Sequence, residues 1–306
     1  MRAVVCSRYG PPDVLRLVDV PTPVPHANEV LIRIRATAVT SSDCYVRGLR
    51  LSPAYRMLAR VALGWRGPRQ PILGMVLAGE VASVGADVRS YGVGDRVFGF
   101  DRHRFGTYAQ FVTWPEDGVL TRTPVNVTDV DAAAITYGGL LALHLLRRAK
   151  ILAGQSVLVY GASGAVGSSA VQLLRRAGAH VTGVCSTTNM DLVASLGATT
   201  VVDYTVENFR DRSERYDLIL DTVGKRKSAT ALRGCRRVLV PGGACVSVDD
   251  GAPQLLREDL ALLADLAAKG EINPVIDRTY ELEDIVEAHA YVDTGHKRGN
   301  VVITVS

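Results

Sequence analysis

The sequence predicts an α/β fold with two domains, one of which is built around a doubly wound parallel sheet. The chain has 306 residues, which suggests about two domains at roughly 100–200 residues each. Residues 1–122 contain short strand-like runs separated by many Gly and Pro residues, a pattern typical of a small, irregular, β-barrel-like domain. From residue 151 onward, strand-like and helix-like segments alternate, which indicates βαβ units and hence a parallel sheet.

In the β-rich part, strands are predicted from apolar runs and from alternation. Residues 1–7 are apolar and strand-like, and residues 29–38 alternate with the period of two expected of a half-buried strand. Residues 76–84 predict a further strand, and residues 91–99 predict a glycine-containing turn that leads into another. We therefore expect sheet rather than helix in this part.

Residues 129–149 predict a helical stretch rich in Ala and Leu, with Thr128 or Asp129 capping its start. Because Tyr137 is followed by two glycines, we expect a break there that divides the stretch into two helices. The remaining predicted elements are strands at residues 156–160, 179–185, 199–203, 216–221, 243–248 and 300–305, and helices at residues 165–177, 189–196, 255–268 and 284–291.

The composition excludes several classes of protein. Hydrophobic residues make up 47% of the chain and charged residues 22%, which is ordinary for a globular protein and excludes general disorder. The net charge of +4 comes without a nucleic-acid-binding motif, so we expect no nucleic-acid partner. We find no signal peptide and no uncharged apolar run of about 18 residues, so we expect no membrane partner. Five cysteines without a Cys-x-x-Cys pair argue against a disulfide framework or a four-cysteine zinc site, and fit a cytoplasmic location.

The most informative segment is a glycine-rich turn between a buried strand and an apolar helix. Gly161 permits the tight turn, Gly164 lets a pyrophosphate approach the backbone, and Gly167 lets the helix pack closely on the strand. Free N–H groups and the helix dipole then face the anion. We therefore predict a dinucleotide site formed by Gly161, Ala162, Ser163, Gly164, Ala165, Val166 and Gly167.

The end of the second predicted strand bears on the choice between NAD and NADP. An NAD-preferring fold usually has an acidic residue here to bind the ribose 2′-hydroxyl, but this chain has none before Asp191. Ser186, Asn189 and Tyr204 are suited to donate to a 2′-phosphate, so we predict NADP(H) as the cofactor. The alternative is that these residues only cap the next helix, as Thr188 or Asn189 is able to do.

Several motifs spread over nearly the whole chain resemble one family. They are the Gly-x-x-x-Ala-Gly-x-Val pattern at residues 74–81, residues 93–99, the glycine turn, Leu-Gly-Ala at residues 196–198, and residues 296–302. With these motifs the chain resembles the zinc-independent quinone reductase branch of the medium-chain dehydrogenase/reductase superfamily. The resemblance implies a GroES-like catalytic domain of residues 1–122 completed by residues 272–306, a Rossmann domain of residues 123–271, and an active site in the cleft between them.

The resemblance also allows us to ask whether the chain has zinc ligands at the positions where zinc-dependent relatives have them. Zinc-dependent relatives have a Cys where this chain has Thr40 and a His-Glu pair where it has Met75 and Val76. Thr and Met are poor zinc ligands. We therefore expect no catalytic metal, and we expect protein hydrogen-bond donors to polarise a carbonyl substrate.

The same resemblance assigns residues to the substrate and nicotinamide sites. Asp43-x-Tyr45-x-Arg47 is similar to a quinone reductase motif whose Tyr lines the substrate cleft, and Ser42 stands where alcohol-oxidising relatives keep a proton-relay hydroxyl. We therefore predict Tyr45 and Ser42 as catalytic residues. The alternatives are that Tyr45 only packs the cleft wall while solvent supplies the proton, and that Asp43 is a base rather than a structural hydrogen-bonding group. The remaining predicted cofactor contacts are Thr222, Val223 and Asn300.

The chain departs from the family pattern in three places. Leu141 replaces a Thr that often contacts the nicotinamide in the family. A sixth strand of the parallel sheet is missing, which leaves the fifth as an edge, so we expect a monomer or a dimer not built on the usual sixth-strand edge. Residues 47–69 contain six arginines and no acid. Residues 53–65 of that segment carry a helical apolar stripe, which suggests a lid over the cleft, a membrane-surface helix or simply a solvated basic face.

These features predict an NADPH-dependent reductase that transfers hydride to an α,β-unsaturated carbonyl or a quinone without zinc. One alternative is a zinc-free, NADP-dependent alcohol/ketone oxidoreductase. A second is a non-redox biosynthetic enzyme, such as a lyase or cyclase, or a nucleotide binder on the same fold. The expected partner in each case is a small molecule.

Overall fold

The computed structural model describes residues 1–49, 57, 60–61 and 63–306. The strands are β1 (Arg2–Cys6), β2 (Leu15–Asp19), β3 (Glu29–Val39), β4 (Val76–Val84), β5 (Arg96–Phe100), β6 (Phe111–Pro115), β7 (Leu120–Arg122), β8 (Ser156–Tyr160), β9 (His180–Cys185), β10 (Thr200–Asp203), β11 (Tyr216–Asp221), β12 (Leu239–Ser247), β13 (Ile276–Glu281) and β14 (Asn300–Thr304). The α-helices with described bounds are α1 (Ser41–Gly48), α2 (Asp129–Ala149), α3 (Ala165–Arg176), α4 (Met190–Ser195), α5 (Lys225–Leu232), α6 (Arg257–Ala268) and α7 (Ile285–Asp293).

The β-rich part is a seven-stranded sheet with an added hairpin. Its strand order is β13-β14-β3-β4-β5-β7, with β6 pairing β3, while β1 and β2 pair separately. The long strand β3 alternates as its sequence predicts, since Ile32 and Ile34 are buried and Arg33 and Arg35 are exposed. Strand β14 runs antiparallel to β3, so the C-terminal strands join a sheet that the N-terminal residues begin. The division of the chain at residues 122 and 271 remains a prediction.

The second sheet is entirely parallel, with the strand order β10-β9-β8-β11-β12. The chain leaves β8 toward β9 on one side, and β11 lies on the other. The carboxyl end of β8 is therefore a topological switch point, where open α/β sheets bind ligands. Within the described residues no sixth strand joins this sheet and β12 is its edge, which agrees with the predicted gap.

Helix α2 corrects one prediction, because it runs unbroken from Asp129 to Ala149. A side chain at Gly138 would overlap the carbonyl oxygen of Ala165 on α3, and one at Gly139 would come within 2.7 Å of Leu263 on α6. The two glycines therefore allow neighbouring helices to pack closely against α2 rather than interrupting it. The start is as predicted, since the Thr128 side chain caps the helix at Asp131.

By length and composition, α2 is also a helix that could cross a membrane, which the sequence reading overlooked. However, 61% of its most apolar window is buried inside the protein. It packs against α3 and α6 and against strands of the β-rich sheet. A core helix passes the same test, so we interpret α2 as a core element.

Candidate active site

One large cavity brings most of the predicted site residues together. Its volume is about 1560 Å³, and it is lined by α1, the glycine turn, the carboxyl ends of β9, β11 and β12, and the segment before β14. Typical ligand pockets have volumes of about 300–1,000 Å³, so there is room for a dinucleotide and a substrate. The predicted residues that line it are Ser42, Tyr45, Gly161, Ser163, Gly164, Ala165, Val166, Ser186, Asn189, Tyr204, Thr222 and Val223.

The glycine turn has the geometry that its sequence predicts. Gly161 has a φ of +84°, and a side chain there would overlap Val223. A side chain at Gly167 would overlap the carbonyl oxygen of Gly161, so this glycine is needed where α3 meets the turn. Gly164 precedes the first residue of α3, and a Cβ on it would meet only the Gly161 oxygen, at 3.4 Å. An anion is thus able to approach the backbone at the N-terminus of α3.

Three predicted cofactor contacts do not line the cavity. Ala162 is fully buried, and Gly167 packs against the turn from behind. The buried Asn300 side chain donates from Nδ2 to the Val275 carbonyl oxygen at 3.0 Å. The structure therefore gives these three residues packing and hydrogen-bonding roles behind the site.

The polar residues after β9 face the cavity with unused hydrogen-bonding capacity. Ser186 Oγ accepts a hydrogen bond from Asn189 Nδ2 at 3.0 Å and lies 3.4 Å from Thr188 Oγ1, where either hydroxyl is able to donate. Asn189 Oδ1 is buried and has no partner among the described residues. Asn189 precedes α4 but makes no capping hydrogen bond with its side chain, so the alternative capping role is not realised. The nearby Asp203 is held by Thr187 and Thr205, and the Thr187 hydroxyl lowers the pKa of its carboxyl group.

Helix α1 presents Ser42 and Tyr45 to the cavity, and its first turn fixes how they point. Asp43 Oδ2 accepts hydrogen bonds from the Thr40 amide at 2.8 Å and the Thr40 hydroxyl at 2.6 Å. The Asp43 amide in turn donates to Thr40 Oγ1 at 3.2 Å, which completes a capping box. Burial raises the pKa of Asp43 to about 6, although the hydrogen bonds from Thr40 partly oppose it. Asp43 therefore serves as a structural hydrogen-bonding group. Among the described residues no group of three or more His, Cys, Asp and Glu is placed to hold a metal ion.

Arg47 is buried, which corrects its assignment to the basic segment. Its guanidinium bonds Asp293 at 2.5 Å and the Gly10 carbonyl oxygen at 3.2 Å. It therefore ties α1 to α7 instead of contributing to a solvated basic face. Most of the predicted lid at residues 53–65 lies outside the described residues, and so do the arginines at positions 50 and 56. The described Leu63 lines the cavity.

Tyr137 is a cavity residue that sequence reasoning missed. Its hydroxyl lies 3.0 Å from Ser42 Oγ, and either group is able to donate. Its place in the cavity wall follows from α2, since Tyr137 and Leu141 are one turn apart on the same face and both line the cavity. The available signal was this i, i+4 spacing, which placed a hydroxyl beside the position where the family has Thr.

Lys297 is the second missed residue, and it lies close to the glycine turn. Its Nζ donates to the Gly299 carbonyl oxygen, and the Gly299 amide donates to the Ser163 carbonyl oxygen at 2.7 Å. Its side chain is half-exposed because it faces the cavity, yet protein surrounds the ammonium group closely. This desolvation lowers the pKa of Lys297 to about 8, against a smaller opposing effect of Asp277. The sequence contained a signal for this residue, because Lys297 belongs to the motif at residues 296–302 that we used only for the family resemblance.

Comparisons with known proteins agree with this architecture. Residues 26–124 match the family model of the alcohol dehydrogenase GroES-like domain, and residues 196–303 match that of zinc-binding dehydrogenase. The chain is 31% identical over 324 residues to 2-methylene-furan-3-one reductase of Solanum lycopersicum, covering 99% of this chain and 79% of that protein. It is 28% identical over 323 residues to the chloroplastic NADPH-dependent alkenal/one oxidoreductase of Arabidopsis thaliana, again covering 99% of this chain and 79% of that protein.

A solved structure adds the fold. The quinone oxidoreductase from Coxiella burnetii superposes with a TM-score of 0.88 at 28% identity, covering 100% of this chain and 99% of that one. The predicted resemblance is thus confirmed over the whole length. The chain belongs to the quinone oxidoreductase-like branch of the medium-chain dehydrogenase/reductase superfamily, and it is an oxidoreductase.

Proposed function

We propose that this protein is an NADPH-dependent reductase that acts on an α,β-unsaturated carbonyl or a quinone without a metal ion. The observation that carries the proposal is the single cavity. It joins a dinucleotide-type glycine turn, at the switch point of the parallel sheet, to a wall of uncharged hydroxyl groups on α1 and α2. Relatives with a reductase name, one of them described as NADPH-dependent, support the reaction class and the cofactor.

The residues fit NADPH, which supplies a hydride when bound. The open backbone at Gly164 and the free amides at the start of α3 suit the pyrophosphate. The polar side chains of Ser186, Asn189 and Tyr204 line the cavity and suit the adenosine ribose and its 2′-phosphate. Among the described residues that line the cavity, Asp249 is the acidic one, and it lies after β12, away from β9. The nearby Asp203 does not line the cavity, and its carboxylate accepts hydrogen bonds from Thr187 and Thr205. A 2′-phosphate therefore meets no cavity-lining carboxylate in this region.

Thr222 and Val223 contribute to the nicotinamide side mainly by supporting the turn. The Thr222 hydroxyl lies 2.8 Å from the Tyr160 carbonyl oxygen and 3.1 Å from that of Gly161, so its hydrogen bonds are made within the protein. Val223 fills the space that a side chain at Gly161 would occupy. We propose that these two residues form the wall against which the nicotinamide packs.

Lys297 supplies the positive charge that the glycine turn lacks. Two hydrogen bonds connect its ammonium group to Ser163, one to the Gly299 carbonyl oxygen and one from the Gly299 amide. Gly299 also forms a β-bridge with Gly164. Lys227 lies nearby, since a Cβ on Gly295 would come within 3.2 Å of its Nζ, and both lysines line the cavity. We propose that the ammonium group of Lys297 pairs with the cofactor pyrophosphate, which would restore the charged form that burial disfavours.

The α1 end of the cavity suits a planar, uncharged, conjugated substrate. Tyr45, Phe100 and Leu141 provide apolar and aromatic wall there, and Ser42 provides a hydroxyl. Thr40, at the position of a zinc ligand in zinc-dependent relatives, uses its hydroxyl to cap α1. Metal-free reduction, with Ser42 and Tyr45 facing the substrate, is therefore part of the proposal.

The first experiment is a titration of the purified protein with NADPH and with NADH, followed by nicotinamide fluorescence. We expect NADPH to bind at least tenfold more tightly, and Ser186→Ala to reduce this preference. Serine at position 195, which is exposed and whose hydroxyl bonds only the Leu192 carbonyl oxygen, offers a matched control as Ser195→Ala. Equal affinity for both nucleotides would contradict the choice of NADP, and binding of neither would refute the reductase.

A substrate screen separates the alternatives. NADPH oxidation by enones or quinones supports the proposal, whereas reduction of NADP by alcohols identifies an alcohol/ketone oxidoreductase. Tight nucleotide binding without turnover of any carbonyl or alcohol identifies a non-redox protein.

The proposal also includes the location and assembly of the protein. Five free cysteines favour a cytoplasmic location, although relatives include mitochondrial and chloroplast proteins. The edge strand β12 favours a monomer, or a dimer not built on a sixth strand. Size-exclusion chromatography with light scattering decides between these two states.

A further inference from the structure

We propose that Tyr137 is a further catalytic residue, and that it forms with Ser42 a pair of hydroxyls that binds the carbonyl oxygen of the substrate. The pair would stabilise the negative charge that develops on that oxygen during hydride transfer. This inference rests on the proposed reductase function and names a residue of the same cavity.

The geometry places the two hydroxyls at one point of the cavity wall. Tyr137 Oη and Ser42 Oγ are 3.0 Å apart, although they belong to α2 and α1 and are 95 residues apart in sequence. The Tyr137 ring is held by Phe100, with the ring centroids 5.8 Å apart. Both hydroxyl-bearing residues line the cavity that holds the glycine turn. The pair is thus fixed in position before any substrate binds, as a site for developing charge requires.

The hydroxyl pair has one more proton than it uses. A hydrogen bond between two hydroxyl groups consumes one of their two protons, so the second remains available for a third oxygen. Burial raises the pKa of Tyr137, and the hydrogen bond to Ser42 opposes this only in part. The carboxylates of Asp43 and Asp249 raise the pKa further through their charges. Tyr137 therefore remains protonated, and the pair is a donor at neutral pH.

Tyr137 shares its cavity with residues of both α1 and the parallel sheet. Ser42 and Tyr45 belong to α1, and Thr222 and Val223 follow strand β11. A carbonyl oxygen bound by the hydroxyl pair would therefore lie in the same cavity as the wall on which we propose that the nicotinamide packs.

Reduction of the enone requires one hydride and one proton, and neither needs to come from an acidic side chain of the protein. Hydride transfer from bound NADPH forms a C–H bond at the β-carbon of the enone and leaves NADP⁺. The π electrons of the C=C bond move toward the carbonyl, which becomes an enolate oxygen hydrogen-bonded by the pair. Water then donates a proton to the α-carbon, so the substrate gains a hydride and a proton in total. The pair donates hydrogen bonds throughout and returns unchanged.

The test compares Tyr137→Phe, Ser42→Ala and the double variant with the wild type, using 2-cyclohexenone or the best enone of the screen. We expect kcat to fall about 100-fold in each single variant, as when one donor to an oxyanion is removed. The double variant should lose little more, because the two hydroxyls act as one unit. NADPH affinity, measured by fluorescence, should stay within twofold, which also verifies folding. Tyr91→Phe is the matched control, since its buried hydroxyl bonds the Leu120 carbonyl oxygen outside the cavity.

A second readout does not depend on turnover. 4-Nitrophenol carries a planar oxyanion when ionised, so its absorbance on the NADP⁺-loaded protein reports stabilisation of that charge. We expect the bound wild type to increase the phenolate fraction, and Tyr137→Phe to abolish the increase.

The outcomes separate this inference from the function on which it rests. A wild type without enone or quinone turnover overturns the reductase function and this inference with it. An active wild type with unchanged kcat and unchanged 4-nitrophenol absorbance in Tyr137→Phe overturns the inference alone. Loss of kcat with equal loss in Tyr91→Phe also overturns it, because the effect would then be structural.

Discussion

Two alanine substitutions in the glycine turn should have different effects on the free energy of unfolding, although they lie three residues apart. At Gly167, a new Cβ would overlap the Gly161 carbonyl oxygen and come within 2.8 Å of Ala162 Cα. Both are backbone atoms of the turn and cannot rotate away. Overpacking of this kind costs about 1–3 kcal/mol, and we expect the upper end for Gly167→Ala.

Gly164→Ala should behave differently because its surroundings are open. The residue has φ −80° and ψ 176°, which alanine adopts without strain, and its Cβ would meet only one atom, at 3.4 Å. Alanine restricts the unfolded chain, which favours folding by about 0.4–1 kcal/mol, but Gly164 is the N-cap of α3 and alanine caps a helix less well than glycine. The two effects oppose each other, so the free energy of unfolding should change by less than about 1 kcal/mol. The same methyl group would occupy the place where the pyrophosphate approaches the backbone. NADPH affinity should fall about tenfold or more, which corresponds to about 1.4 kcal/mol.

The assay combines urea denaturation with NADPH titration on both variants. Gly92→Ala is the control for the effect on the unfolded chain, since a Cβ there meets nothing within 4 Å and the residue is remote from the cavity. Gly92→Ala should gain about 0.4–1 kcal/mol of stability and keep the wild-type affinity for NADPH. If Gly164→Ala binds NADPH as tightly as the wild type, or if Gly167→Ala is as stable as the wild type, the assignment of roles within the turn is wrong.

Three other predictions concern charge and hydrogen bonding. The pKa of Asp43 is raised to about 6, so the stability that its protonated form contributes is complete below pH 4 and is lost as the pH rises through 6. Asp43→Asn should therefore remove this pH dependence of the free energy of unfolding between pH 4 and 6, measured by urea denaturation. Lys297 has a pKa of about 8, so NADPH binding should take up a proton above that pH and weaken as the pH rises; Lys297→Met should bind more weakly and lose this slope, as titrations from pH 7 to 9 would show. Thr222→Val removes hydrogen bonds to the turn and should cost about 1 kcal/mol of stability, with weaker NADPH binding in the same titration.

The glycine turn was predictable because Gly161 and Gly167 meet local steric requirements. Positive φ at Gly161 and close approach at Gly167 depend on atoms within a few residues or on the adjoining strand. The two glycines of α2 were misread by the same local reasoning. Helix propensity alone counts Gly138 as a helix breaker. The position requires glycine because the helix lies close to Ala165, and only the packing of the two helices brings that residue near.

Long-range partners explain the other misses. Arg47 was counted with the basic segment at residues 47–69, since its partner Asp293 is 246 residues away in sequence. Asn300 was assigned to the cofactor through its motif, but its side chain turns to Val275. The Ser42–Tyr137 pair depends on how α1 and α2 meet, and neither pattern alone indicates a hydroxyl opposite the other. Site residues that act through a partner on another element thus escape a reading made element by element.

The charges in the cavity suggest how it distinguishes its substrate from its cofactor. Lys227 and Lys297 line the cavity, as does the start of α3, where we propose that the anionic pyrophosphate of the cofactor binds. The α1 side offers neutral hydroxyls, which bind a neutral carbonyl weakly and an oxyanion more strongly, so their stabilisation increases toward the transition state. Asp249 lines the same cavity and is close enough to raise the pKa of Tyr137. We therefore expect a neutral enone to be reduced with at least a tenfold higher kcat/KM than the same skeleton carrying a carboxylate, and Asp249→Asn to narrow that difference. If the carboxylate substrate is preferred, the lysines bind the substrate, and NADPH lies differently in the cavity.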